Sequence, residues 1–129
     1  MQILNVAVNM CRTDRCPCCP DFKHFCIAFR GRKIIATGFN CRCRIPKRIA
    51  GRTRSNHAET ATIFKVRNQT KSFDLLVIRL NNAGDKLLIS KPCHVCAEWI
   101  NRYPINRIFY SDEDGAIVSS LVRNFVPDR

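Results

Sequence analysis

Apolar and polar positions along this chain fall into short runs whose periods change from one segment to the next. Residues 2–10 are mildly apolar, and their spacing admits a short helix or an extended arm. Residues 24–30 and 33–39 are two apolar runs on either side of Gly31-Arg32, the pattern of a β-hairpin. Residues 40–56 are polar and basic, interrupted by Pro46 and Gly51, and read as a loop. A helix is expected from near His57 to about Gln69, capped by Ser55 or Asn56. On it His57, Ala61 and Phe64 recur at helical spacing and are expected to face a sheet. Residues 73–80 form the strongest strand, and their unbroken apolar run suits a central position covered on both faces. Residues 87–90 bring the chain back to Pro92, which fits the first turn of a helix over residues 93–101. A strand at 107–110, a turn at 111–115 and a strand at 116–119 follow. The turn is too short for a crossover, so the last strand is expected to return antiparallel. Residues 120–129 are expected to form a short helix ending before Pro127.

Length changes this picture only by bounding it: 129 residues are expected to form a single domain, 1–129, with a Cys-rich N-terminal segment over 1–22. No apolar run approaches the roughly 18 residues that span a bilayer. The N-terminus lacks the basic start of a signal peptide, so a cytoplasmic protein without membrane partners is expected. Charge adds more. The formal net charge is +12, from 22 basic and 10 acidic residues. The excess is uneven, since positions 23–57 hold no acid but carry Lys23, Arg30, Arg32, Lys33, Arg42, Arg44, Lys47, Arg48, Arg52 and Arg54. Such a stretch attracts phosphate groups or polyanions, or simply solvates the surface.

The candidate chemistry is concentrated in two places. His57-Ala58-Glu59 is followed downstream by Pro92-Cys93-His94-Val95-Cys96. Zinc takes imidazole nitrogen and thiolate sulfur in a tetrahedron, and a catalytic site leaves one corner open for water. His57, Cys93 and Cys96 offer three ligands. The Cys-x-x-Cys spacing puts both sulfurs on one helical turn, and a helix N-terminus favours thiolates. Glu59 lies close enough to reach water at the metal without being a ligand. A structural zinc would need a fourth protein donor; His94 is available, but it adjoins Cys93 and is expected to point away. Glu59 alone could equally be a surface acid at a helix start. Nine cysteines are present, and their company here favours metal thiolates over disulfides.

By the pairing of His57-x-Glu59 with Pro92-Cys93-x-x-Cys96, the chain resembles the cytidine and deoxycytidylate deaminase superfamily, whose signature this is. The resemblance covers residues 23–119. It implies an α/β fold of the cytidine-deaminase-like, three-layer kind, with a mixed five-stranded sheet and both zinc-bearing helices on one face. It implies a zinc-dependent hydrolytic deaminase in which water activated at the metal attacks C4 of a cytosine, or C6 of an adenine, with Glu59 as proton shuttle. By resemblance Asn40 contacts the substrate sugar, Ala58 belongs to the substrate site, and the protein forms homo-oligomers. The leading expectation is a cytosine nucleotide substrate of the CMP or dCMP type. Single-stranded DNA or RNA, as cytosine or tRNA adenosine, is the second, and a noncatalytic zinc-binding interaction module is the third. The catalytic zinc leaves the other cysteines unused. Cys11, Cys16, Cys19, Cys41 and Cys43, with His24, could hold a second, structural zinc that ties the N-terminal segment to the loop after the hairpin. The competing reading is a set of reduced thiols acting as small hydrophobes.

Overall fold

The structure is a computed structural model, and it describes residues 2–13, 23–41 and 57–127. Helix α1 (Gln2–Thr13) is followed by strands β1 (His24–Arg30) and β2 (Lys33–Phe39), helix α2 (Ala58–Lys65), strands β3 (Phe73–Leu80) and β4 (Leu87–Leu88), helix α3 (His94–Ile100), and strands β5 (Ile105–Ser111) and β6 (Ile117–Leu121). A single 3-10 turn, Val122–Asn124, follows. Five strands lie in the order β2-β1-β3-β5-β6, and the two-residue β4 pairs with the end of β3. Among the described strands only β3 and β5 run parallel; the other pairings are antiparallel.

The N-terminal ambiguity resolves as a helix. Ile3, Ala7 and Cys11 recur every four residues, are buried, and lie against Phe25, Ile27, Phe29, Leu76, Ile78 and Leu80. The opposite face of the sheet carries α2 and α3, over Cys26, Ala28, Phe73, Leu75 and Val77. Successive side chains of a strand point to opposite faces, so β1 and β3 each supply both cores. That is why residues 73–80 are apolar without alternation. Two cores on one sheet give the three-layer α/β fold expected.

Several boundaries move. The first helix of the metal-side pair starts at Ala58, with His57 itself in the N-cap position and making no side-chain cap. Ser55 and Asn56, the expected caps, lie outside the described residues. The buried residues of α2 are Ala58, Glu59, Thr60, Thr62 and Ile63, whereas Phe64 is exposed. The expected His57-Ala61-Phe64 stripe was therefore off by about one position. The helix also stops at Lys65, not Gln69. Pro92 precedes α3 instead of opening it, because Cys93 is the N-cap. At the C-terminus β6 runs on to Leu121, which leaves one 3-10 turn where a short helix was expected. The return of β6 against β5 is antiparallel, with Phe109 opposite Ser119. Among the described residues no helix is long and apolar enough to cross a membrane.

A candidate metal centre

Two helix starts build this site. His57 precedes α2, and Cys93 and Cys96 lie at the start of α3 one turn apart. Both helices pack on the same face of the sheet, which brings their N-terminal ends together. His57 Nδ1 lies 3.3 Å from Cys96 Sγ and 3.6 Å from Cys93 Sγ. All three donor atoms lie within 4.8 Å of one another. A zinc ion with ordinary bond lengths at tetrahedral angles separates nitrogen from sulfur by about 3.6 Å and sulfur from sulfur by about 3.8 Å. The cluster therefore fits zinc with little rearrangement. Among the described residues no fourth His, Cys, Asp or Glu joins it, and His94 is exposed, as expected. A zinc held by these three donors alone would keep one coordination position for water.

The electrostatics suit a cation. Cys93 is drawn down to about 3 by hydrogen bonding with Cys96 and His57, despite its burial. Cys96 is pushed up because it shares a proton with Cys93 and is buried. His57 is raised, chiefly by its hydrogen bond to Cys93.

Glu59 lies beside the cluster, 1% exposed, and its Oε1 has no hydrogen-bond partner among the described residues. That oxygen faces His24, whose Nε2 is 3.8 Å away. Both residues line a cleft of about 490 Å³, together with His57, Cys93, Asn40, Lys23, Arg79, Asn82, Ser90 and Lys91. Among the described residues of that lining Glu59 is the only acid, against Lys23, Arg79 and Lys91.

Ser90 fixes the segment that leads to Cys93. Its hydroxyl donates to Val77 O at 2.8 Å and accepts the Ser111 N–H at 2.8 Å, tying β3 and β5 to the chain after β4.

Of the residues singled out in the sequence, His57, Glu59, Cys93 and Asn40 line the cleft, and Cys96 is buried behind it in the donor cluster. Asn40 is nearly buried, and its N–H donates to His24 O at 3.2 Å. Ala58 is wholly buried in the metal-side core and does not line the cleft. His24, read as a partner of the second zinc, faces Glu59. Cys11 and Cys41 are buried, and Cys11 Sγ donates to Lys23 O. Cys16, Cys19 and Cys43 lie outside the described residues, as does most of the basic loop. Sequence reasoning passed over Arg79. The signal was present: Arg79 breaks the apolar run of β3 at a position of the same parity as Phe73, Leu75 and Val77, the metal side of the sheet.

The sequence matches the family model of the cytidine and deoxycytidylate deaminase zinc-binding region over residues 1–112. The chain belongs to this deaminase family. The match begins well before the segment, 23–119, on which the motif resemblance rests. No curated protein matches this deaminase in sequence. Among solved structures, a cytidine deaminase from Burkholderia pseudomallei shares its fold, with a TM-score of 0.60 at 14% identity, covering 98% of this chain and 96% of that one. The family and the donor set together make this a zinc-binding, deaminase-type centre.

Proposed function

We propose that this deaminase removes the amine of a cytosine base carried on a nucleotide, releasing ammonia and leaving a uracil base. The carrying observation is the Glu59 carboxylate, buried beside three convergent zinc donors and with an unsatisfied oxygen in the cleft. A structural zinc site has no use for such an acid.

In this reading His57, Cys93 and Cys96 hold zinc. When bound, the ion supplies a Lewis acid that makes water acidic near neutral pH. Glu59 accepts one proton from that water and delivers it to the ring nitrogen next to C4, then takes the second from the hydroxyl added at C4 and delivers it to the departing amine. Water contributes the oxygen that replaces the amine, so the reaction needs no further co-reactant. Asn40 contacts the sugar, and Ala58, its side chain buried, reaches the substrate only through the main chain at the start of α2. Lys23, Arg79 and Lys91 give the cleft a positive rim suited to a phosphate.

Purified, zinc-loaded protein offered cytidine, CMP, dCMP, single-stranded oligonucleotides and tRNA decides the substrate. Ammonia release from CMP or dCMP is the expected result. Activity on polymers alone would overturn the nucleotide assignment in favour of a nucleic-acid deaminase, the reading that the charge of +12 favours. No product from any of them would leave a noncatalytic zinc module. A second zinc on Cys11 and Cys41 with Cys16, Cys19 and Cys43 is tested by metal analysis: two ions per chain support it and one removes it.

A further inference from the structure

His24 and Glu59 are joined by an observation that the scheme above does not use. His24 Nε2 and Glu59 Oε1 are the two buried side-chain polar atoms that have no hydrogen-bond partner among the described residues. They face each other at 3.8 Å. Buried polar atoms without partners are rare in folded proteins and call for a reason. Here each is the missing partner of the other, and a small rotation of either side chain closes the gap to hydrogen-bonding distance.

The backbone holds His24 in place for this. His24 opens β1 at the same parity as Cys26 and Ala28, the metal-side face of the sheet. It lies opposite Arg79 in the ladder with β3, and its carbonyl accepts the Asn40 N–H. Burial lowers the affinity of the ring for a second proton, so it meets Glu59 as a neutral imidazole. A neutral imidazole has one N–H to give.

Resting on the reading of Glu59 as proton carrier, we propose that His24 is its positioning residue, donating Nε2–H to Glu59 Oε1. The terminal torsion of a glutamate is broad and nearly two-fold. An oxygen held by His24 selects one orientation and presents the other oxygen to the water and the base. His24 itself transfers no proton.

The test uses the zinc-loaded full chain and two variants. His24→Phe keeps a ring but removes the donor; His24→Gln keeps a side-chain N–H. We expect His24→Phe to bind zinc one-to-one, to keep KM, and to lose about 10- to 100-fold in kcat, the usual cost of losing a residue that orients a site group. His24→Gln should recover most of that loss. A second measurement needs no substrate: in long-range ¹H–¹⁵N spectra His24 should appear as the Nε2–H tautomer, with its ring signals moved by Glu59→Gln. Full kcat in His24→Phe alongside a dead Glu59→Ala would overturn the inference and leave the deaminase reading intact. If wild type turns over none of the substrates, the deaminase reading fails on its own. The spectra then decide the contact, and His24 ring signals identical in wild type and Glu59→Gln would end it.

Discussion

Glu59 is the residue from which the site is most easily read, because burying a carboxylate there costs stability that its neighbours in the cleft must offset. A buried carboxylate with an unpaired oxygen is unfavourable unless something in the cleft engages it. Glu59→Gln should therefore leave zinc content and fold unchanged while kcat falls by about 10²- to 10⁴-fold, the usual contribution of general acid–base catalysis. Metal analysis with steady-state kinetics checks both halves, and substantial turnover would remove the proton-transfer role. Ser90 makes the opposite case. Its hydroxyl serves two backbone groups at once, and Ser90→Ala should destabilise the protein by about 1–3 kcal/mol in a denaturant titration. His57, Glu59, Cys93 and Cys96 were legible in sequence because zinc chemistry constrains residue type and spacing together. Arg79 and His24 were harder: their places depend on strand parity, and parity has meaning only once the metal-side face of the sheet is known.

At the scale of elements, the contact between β2 and α2 is set by Gly38. A Cβ there would meet Thr62 Oγ1 at 2.5 Å, Thr62 N at 2.9 Å and Ala58 O at 3.1 Å. Two of those atoms are helix backbone, and Thr62 Oγ1 is held by Ala58 O at 2.8 Å. Gly38→Ala must push α2 outward, so a loss of about 1–3 kcal/mol is expected, together with weaker zinc binding because His57 precedes that helix. Asp74 on β3 gives a prediction in pH. Partial burial raises its carboxyl above the ordinary range, opposed by a hydrogen bond from Arg107 N and by the Arg107 charge. An acid whose folded value is raised costs stability at neutral pH, and that cost disappears as pH falls below the ordinary carboxylate range. Asp74→Asn keeps the acceptor oxygen, so it should raise Tm at pH 7 by an amount that shrinks toward zero in acid. The hairpin turn was legible because Gly31, at φ +61°, is where a left-handed residue is needed. The start of α2 near His57 was legible but its cap was not: the expectation gave the cap to a serine or asparagine, whereas the chain gives it to His57, whose side chain turns to the sulfurs.

For the whole molecule, removal of zinc is the informative perturbation. An ion bound only by the folded state stabilises it by mass action, about 4 kcal/mol at a free concentration 1,000 times Kd. A chelator should therefore lower Tm markedly, and added zinc should restore it. Protons compete for the same donors. Because Cys93 raises His57 in the metal-free protein, that competition should begin at a higher pH than for an ordinary histidine. A chelator-competition titration across pH measures it. The three-layer arrangement was legible from the continuous apolar run of β3, which demands cover on both faces. The identity of that cover was not: residues 2–10 carry too short a pattern to choose helix over arm without the sheet beneath them.

The donors of the candidate centre sit on the leading turns of two separate helices, which rest on a common sheet without a covalent tie between them. The ion is then a gauge of interhelical alignment. Conservative changes at Ile63 or Ile100, buried at 1% each and away from the cleft, would be felt first as faster metal exchange, before any loss of helical signal. Adapting this scaffold to new bases without losing its cation thus means leaving the seat of α2 and α3 untouched and varying only the rim.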